Sequence, residues 1–285
     1  MTTATNDTII LGEDLGMGAN KLYGTQGGLQ LPSQVAINGA QKVTSMVGLR
    51  SQKAPLHIRT QQGSFYVGSD AHDWGRPVEN LDYDRLTGAP EMHALLYGSL
   101  TNFIQKHGKL DRPISMMVGM PIEPLTGPEA QANLRAVRKW MEGIHEWQAD
   151  DKEYSVEIAE VSVTSQPVGA LFDYLLDEEG NFIKERKAAF KAEVGIISVG
   201  FNTVELLVVR DKQPVQRFTA GTTAGVRRLL ELVNSGKHYS LGELDSQLRR
   251  GNLNIKDALP IWEREVTGVI SQQWGDAWRR FATVL

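Results

Sequence analysis

The stretch Ile9–Leu22, IILGEDLGMGANKL, decides the fold of the chain. It opens with the apolar run Ile9–Leu11, which is typical of a strand covered on both faces. Two closely spaced glycines, Gly16 and Gly18, then allow the chain to reverse into a second strand. Because glycine has no Cβ, the backbone N–H groups of such a turn can approach an anion closely. The stretch therefore predicts a β-hairpin with a turn that can hold phosphate.

Polar residues flank this turn on both sides. Asp14 comes just before it, where a carboxylate can hold a hydrated Mg²⁺. Asn20 and Lys21 follow the turn and can face the same phosphates. An acid combined with cationic and amide donors suits a metal-bound nucleotide. The alternative is an ordinary β-hairpin with a glycine turn.

Two better-known glycine motifs do not fit. A dinucleotide fingerprint requires a third glycine where this chain has Lys21, and a helix after the turn, whereas a strand-like segment follows here. The pattern G-x-x-x-x-G-K-[ST] does not occur in the sequence. A phosphate-binding turn at Gly16–Gly18 would therefore belong to neither of these motifs.

Composition narrows the class of protein. The 285 residues suggest two domains, and 41% hydrophobic with 22% charged residues is typical of a globular protein. A net charge of −4 argues against direct DNA binding, and the absence of cysteine excludes disulfides and thiolate sites. The six histidines show no ligand spacing. The sequence shows neither a signal peptide at its start nor an apolar run long enough to span a membrane, so we expect a cytoplasmic protein.

Periodicity predicts the elements that follow the first hairpin. Leu29–Ile37 reads as a third extended stretch, and residues 38–88 as a small inserted lobe containing strands at Leu56–Thr60 and Ser64–Gly68. The remaining predictions for the first half are helices at Ala89–His107, Pro128–Trp147 and Gln166–Leu176, and strands at Pro113–Met120 and Tyr154–Val163. Trp140 and Trp147 would share one helix, either in the core or at an assembly interface.

The second half repeats the plan of the first. Ala192–Val209 reads as strand, glycine turn and strand, as does the opening hairpin. The predictions for the rest are an extended piece at Val215–Ala220, helices at Thr222–Ser235, Leu241–Arg250 and Asn254–Ala282, and the start of a strand at the end of the sequence. Two such hairpins suggest a duplicated βββαβ domain.

In this order the motifs resemble those of the actin-like ATPases, in the ParM/StbA-like bacterial, plasmid and archaeal branch. Asp14–Lys21 is similar to the first phosphate loop, and Ile197–Val204 to the second. Met117–Pro121 resembles the strand end of the family, and Ser165–Ala170 resembles the start of its interdomain helix. Gly221–Leu230 resembles the helix start near the second lobe.

The resemblance implies an α/β protein with the actin-like ATPase fold, in which two lobes are each built on a βββαβ, ribonuclease H-like core. It implies a first lobe at 1–175, with a small inserted subdomain at about 38–88. The second lobe would span 176–285 and be C-terminally incomplete, because the family continues beyond the position of Leu285.

The resemblance also implies ATP and Mg²⁺ in the cleft between the lobes. Asp14 would hold the metal through water, and Gln166 would position the attacking water, which makes these two the catalytic residues. The nucleotide-binding residues would be Gly16, Met17, Gly18, Asn20 and Lys21 in the first loop, and Ser198, Gly200, Asn202 and Thr203 in the second. The basic pairs 227–228 and 249–250 have two interpretations. They are exposed residues on the surface of helices, or, by this resemblance, they face adenine or a neighbouring subunit.

By the same resemblance, the protein would hydrolyse ATP and assemble head to tail into filaments, for plasmid or DNA segregation or another cytoskeletal role. DNA would be reached through an adaptor and not directly, and no membrane partner is expected. Ser198 stands where the family usually has aspartate, which implies slow hydrolysis or binding without turnover. The alternatives are a small-molecule kinase of the same superfamily and a non-hydrolysing actin-like scaffold.

Overall fold

The computed structural model describes residues 8–37, 39 and 52–285. They form two compact units. The first comprises the described residues up to Val118 with Ala132–Val163 and His238–Leu253, and the second comprises Gly119–Gln131, Thr164–Lys237 and Asn254–Leu285. The division into 1–175 and 176–285 stays a prediction, as does the inserted subdomain at about 38–88, of which 38 and 40–51 lie outside the described residues.

The first unit is built on a sheet of ten strands in the order β3-β2-β1-β8-β10-β9-β5-β6-β4-β7. The strands are β1 Ile9–Leu15, β2 Ala19–Gly24, β3 Gly27–Pro32, β4 Val35–Ile37, β5 Leu56–Thr60, β6 Gly63–Val67, β7 Arg76–Pro77, β8 Ile114–Met120, β9 Gly143–Ala149 and β10 Lys152–Ser165. The predicted opening hairpin is β1 and β2, which pair antiparallel. The predicted apolar strand at Pro113–Met120 is β8, and it lies in the middle of the sheet beside β1.

The helix α1, Pro90–His107, covers one face of this sheet next to β2 and β3. Its apolar residues recur every three to four positions, so that Leu96, Leu100 and Phe103 are all fully buried. The missing side chain at Gly24 allows α1 to approach the first hairpin closely, because a Cβ at this position would lie 3.3 Å from the Phe103 ring. This contact places the hairpin firmly against the core.

The second unit is built on a sheet of five strands, with the order β13-β12-β11-β15 and β14 paired to β12. The strands are β11 Val194–Val199, β12 Val204–Arg210, β13 Gln213–Pro214, β14 Ala220–Thr222 and β15 Thr283–Val284. One face of the β11–β12 hairpin packs against Leu171 and Leu175 of the helix α3, Gln166–Leu175. The other face packs against Phe218 and Trp274. The predicted second glycine hairpin is therefore confirmed, with helices or loops on both faces.

The other helices are α2 Ala130–Met141, α3 Gln166–Leu175, α4 Val226–Val233, α5 Leu241–Arg249 and α6 Leu259–Trp274. Each was predicted, and the differences lie mainly at the ends. Gly275, at φ 49°, ends α6 well before the predicted Ala282, because a left-handed residue cannot continue the helix. Within the described residues, no helix is long and apolar enough to cross a membrane.

The last part of the helix predicted at Pro128–Trp147 and the extended piece predicted at Val215–Ala220 are wrong. The helix ends at Met141, because Gly143 has φ 124° and cannot continue it. The strand β9 begins at Gly143, and its residue Trp147 is buried in the core. Trp140 and Trp147 therefore do not share a helix. The extended piece predicted at Val215–Ala220 is interrupted by a 3₁₀ turn that buries Phe218 in the core.

Candidate functional site

The turn of the first hairpin is tight and can be made only with glycine. In the antiparallel pairing, Asp14 is opposite Lys21 and Leu15 is opposite Asn20. A Cβ on Gly16 would lie 2.3 Å from the carbonyl oxygen of Ala19, a distance that no side chain can accept. The glycine is therefore needed for the close crossing of the two chain segments.

Ser33, in the link between β3 and β4, fixes the orientation of this turn. Its hydroxyl donates to the carbonyl oxygen of Gly16 at 2.6 Å, and its backbone N–H donates to that of Gly18 at 3.0 Å. In a planar trans peptide the carbonyl and the next N–H point in opposite directions. The N–H groups of Met17 and Ala19 are therefore directed away from Ser33.

Alternation along the hairpin separates its polar residues onto two faces. Asp14 and Lys21 share one face, and their Oδ2 and Nζ atoms are 2.9 Å apart. Glu13 and Asn20 lie on the other face and are almost completely buried. The Ser33 hydroxyl, whose single hydrogen is donated to the Gly16 oxygen, also lies 3.3 Å from Oδ1 of Asn20. In this arrangement Asn20 supports the turn from behind, and its contact with a nucleotide stays a prediction.

Glu13 is an unusual residue for a strand interior. Neither of its carboxyl oxygens has a hydrogen-bond partner among the residues that the structure describes. Burial raises the pKa of the Glu13 carboxyl well above its usual range, and the neighbouring charge of Asp14 raises it further. Burial in the hairpin therefore favours the neutral form of the Glu13 carboxyl over the ionised form.

The turn of the second hairpin is held against the start of α4. Its carbonyl oxygens at Gly200, Phe201 and Asn202 accept hydrogen bonds from the first backbone N–H groups of the helix, at 3.0, 2.6 and 3.2 Å respectively. A Cβ on Gly225 would lie 2.5 Å from the Gly200 oxygen, so only glycine allows this approach. The first N–H groups of α4 are thus used within the protein.

The residues predicted for this second loop lie together. Asn202 and Thr203 are buried in the turn, and the Asn202 Oδ1 accepts from Arg227 at 3.3 Å. Gly200 closes the turn by donating its N–H to the Thr203 carbonyl at 2.7 Å. Ser198 is half-buried on the neighbouring strand.

Opposite Ser198 is a buried acid, Glu205, which sequence reasoning missed. Its Oε1 accepts the backbone N–H of Ile122 at 2.7 Å, and the side chain is about 1% exposed. Both residues lie on the face of the sheet that α3 covers, and α3 begins with the predicted Gln166. A glutamate inside the apolar run VELLVV was the signal that could have revealed it.

The predicted residues therefore fall into local groups. Asp14, the Gly16–Gly18 turn and Lys21 lie together in the first unit. The second-loop residues and Gln166 belong to the second unit. Among the described residues, no group of three or more histidine or acidic side chains could hold a metal ion directly. The role of Asp14 in holding Mg²⁺ through water stays a prediction.

Several solved structures share this fold, although no protein of curated function matches the sequence. A non-polymerisable quadruple mutant of pCBH ParM has 16% identity and a TM-score of 0.72, with 97% of this chain and 87% of that chain covered. An archaeal actin homologue in complex with ADP has 14% identity and a TM-score of 0.71, with 98% and 86% covered. A 15-stranded ParM filament from Clostridium botulinum has 17% identity and a TM-score of 0.67, with 97% and 87% covered.

These similarities show that the fold is actin-like, as the sequence motifs predicted. The family model described as the N-terminal domain of actin-like proteins matches residues 12–169, more than half of the chain. The match begins within the first hairpin and ends in α3, so it includes the first turn and Gln166. On this basis the chain belongs to the actin-like proteins.

Proposed function

We propose that this actin-like protein binds ATP with Mg²⁺, hydrolyses it slowly and assembles head to tail into filaments. The observation that carries the proposal is the first turn, where Ser33 holds two carbonyls on one side and leaves the Met17 and Ala19 N–H groups directed to the other. Such paired N–H groups are suited to phosphate oxygens. The archaeal actin homologue with ADP supports a nucleotide ligand.

In this proposal each predicted residue has a physical role. Asp14 holds Mg²⁺ through water, and the metal neutralises phosphate charge. The Gly16–Gly18 turn and Lys21 bind phosphate, with Asn20 supporting the turn. The second loop, from Ser198 to Thr203, binds the nucleotide as well, and Gln166 orients the attacking water.

Filament formation is proposed from the family and from the Clostridium botulinum ParM filament. Nucleotide state would control it, because ATP favours one conformation of the subunit and ADP another. The cellular role that we propose is segregation of a plasmid or other DNA in the cytoplasm, through a DNA-binding adaptor. Head-to-tail contacts that do not close into a ring generate such polymers.

A non-hydrolysing scaffold is the second candidate, and Ser198 is the observation that favours it. A hydroxyl can hydrogen-bond water but lacks the negative charge that attracts a hydrated metal. Under this alternative the chain would still polymerise, but without releasing phosphate from ATP. Measured phosphate release therefore separates the two candidates.

The test is high-speed pelleting with negative-stain microscopy, in Mg-ATP, in Mg-ADP and without nucleotide, with phosphate release followed in the same samples. We expect filaments in Mg-ATP that shorten as ATP is consumed. Filaments without phosphate release would favour the scaffold. No pellet in any nucleotide state would contradict the proposed assembly.

A further inference from the structure

The helix α5 reaches the first turn from a distant part of the sequence. Its last residue, Arg249, donates a hydrogen bond from Nη2 to the carbonyl oxygen of Gly18 at 3.1 Å. The same guanidinium donates from Nε to Oδ2 of Asp245 at 2.8 Å, and the Asp245 side chain is only 6% exposed. One side chain thus joins a buried acid to the backbone of the turn.

Asp245 is itself held by the residue that follows Ser33. The Gln34 amide donates to Asp245 Oδ2 at 3.2 Å and to the hydroxyl of Ser246 at 3.0 Å. Ser33 already binds the turn and is joined to Gln34 by a peptide bond. Four hydrogen bonds and this covalent link therefore form a closed ring through Gly18, Ser33, Gln34, Asp245 and Arg249. The carbonyl of Gly18 is therefore held by two donors.

The centre of this ring is fixed from a third direction. The Gln34 Oε1 atom accepts the backbone N–H of Asp70 at 3.0 Å and lies 3.2 Å from Nδ1 of His72. Gln34, Asp245 and Ser246 are all buried. In such a low-dielectric environment hydrogen bonds strengthen one another, so the network can hold the guanidinium in one orientation.

We propose that Arg249 is a positioning residue for the first phosphate loop. It holds the Gly18 carbonyl so that the Ala19 N–H faces the phosphate side of the turn. Asp245, which Gln34 holds in place, aligns the Arg249 guanidinium directly. This inference rests on the proposed nucleotide binding for its consequence, although the positioning itself concerns the protein without ligand.

The neighbouring residue provides a matched control. Arg250 is adjacent in sequence, exposed, and paired with the carboxylate of Asp70, with no side-chain bond to the turn. Replacing Arg250 removes an equal charge from the same helix end. Lysine at Arg249 keeps the charge but cannot bond Asp245 and Gly18 together from a fixed planar group.

The experiment compares the wild-type protein with Arg249→Ala, Arg249→Lys and Arg250→Ala. Hydrogen exchange of the protein without nucleotide is measured in peptides that contain 16–20 and Ser33, and Mg-ADP binding is measured by calorimetry. We expect faster exchange and about tenfold weaker Mg-ADP binding for both Arg249 variants, since one charge-assisted hydrogen bond to the turn is lost. Arg250→Ala removes the ion pair with Asp70 but leaves the Asp70 N–H bond to Gln34, so it should change both readouts less than either Arg249 variant does.

Asp245→Asn is a second variant that tests the same inference. It weakens the hydrogen bond that aligns Arg249 and keeps the shape of the side chain at position 245. Unchanged exchange at 16–20 in Arg249→Ala would overturn the inference, as would an equal increase in the distant hairpin β5–β6. If the wild type does not bind Mg-ADP, the proposed function fails, but the exchange data still decide the role of Arg249.

Discussion

Glu13 offers a direct test of the physical reasoning about the first hairpin. It lies in β1 between Leu11 and Leu15, both fully buried on the same face. It is 2% exposed, and within residues 8–37, 39 and 52–285 neither carboxyl oxygen has a hydrogen-bond partner. An unpaired buried polar group costs about 1–3 kcal/mol, and an ionised one costs more. The change to test is Glu13→Gln, which keeps the shape and removes the ionisation.

The sign of the pH effect follows from the raised pKa. Above the ordinary glutamate value of 4.5, the unfolded chain is ionised while the folded Glu13 carboxyl keeps its proton. The folded state then binds more protons, so stability falls as pH rises, by about 1.4 kcal/mol per pH unit until the raised pKa is reached. Glu13→Gln lacks this loss, and its advantage over the wild type should therefore grow with pH.

The assay is thermal unfolding of both proteins at several values between about pH 5 and about pH 8. The melting temperature of Glu13→Gln relative to the wild type should rise by roughly 3–6 °C per pH unit until the raised pKa is reached. Glu157→Gln, on an exposed position of β10, is the control and should show no such trend. Parallel pH curves for Glu13→Gln and the wild type would refute the buried, neutral carboxyl.

The remaining predictions concern the two turns and the helix α3. Asp14→Ala should abolish Mg²⁺-dependent nucleotide binding, measured by calorimetry with and without EDTA, and binding equal to the wild type would remove Asp14 from the metal site. Gln166→Ala should slow phosphate release about tenfold or more with unchanged ATP affinity, and equal rates would exclude it from the mechanism. Gly225→Ala should destabilise by about 1–3 kcal/mol in thermal unfolding, because its Cβ would lie 2.5 Å from the Gly200 carbonyl oxygen. Gly169→Ala, in α3 with nothing within 4 Å of the new Cβ, should instead stabilise by about 1 kcal/mol or less, and the opposite order would contradict the steric reasoning.

Elements whose partners lie nearby in sequence could be predicted well. The hairpin at Ile9–Tyr23 follows from an apolar run and a glycine turn, and α1 follows from a three-to-four periodicity. The prediction that the first strand is covered on both faces is wrong, because Ile10 is 60% exposed and burial alternates along β1. The change from α2 to β9 was missed because Ile144 and Trp147 also fit a helical period. What decides between them is the left-handed Gly143, whose conformation the sequence pattern does not reveal.

The residues that shape the first turn were predicted only in part. Asp14 and the two glycines are contiguous with the turn, so their proximity follows from the chain itself. Ser33 and Arg249 reach the turn through tertiary packing, across 17 residues to Gly16 and 231 to Gly18. A pattern of neighbouring residues carries no information about such contacts. The pair 249–250 looked like ordinary helix surface for the same reason.

The second loop raises the question of whether another acid replaces the one absent at Ser198. Glu205 is directly opposite in the strand pairing, so its carboxylate is on the correct face. However, its Oε1 accepts the Ile122 N–H at 2.7 Å. The side chain is also buried, on the face of the sheet that packs against α3. A carboxylate that holds backbone in place cannot also rotate freely to order a hydrated metal. Glu205 therefore stabilises the base of the loop. Under the proposed function Ser198 offers a hydroxyl and no charge at this position, which is the physical reason to expect slow hydrolysis.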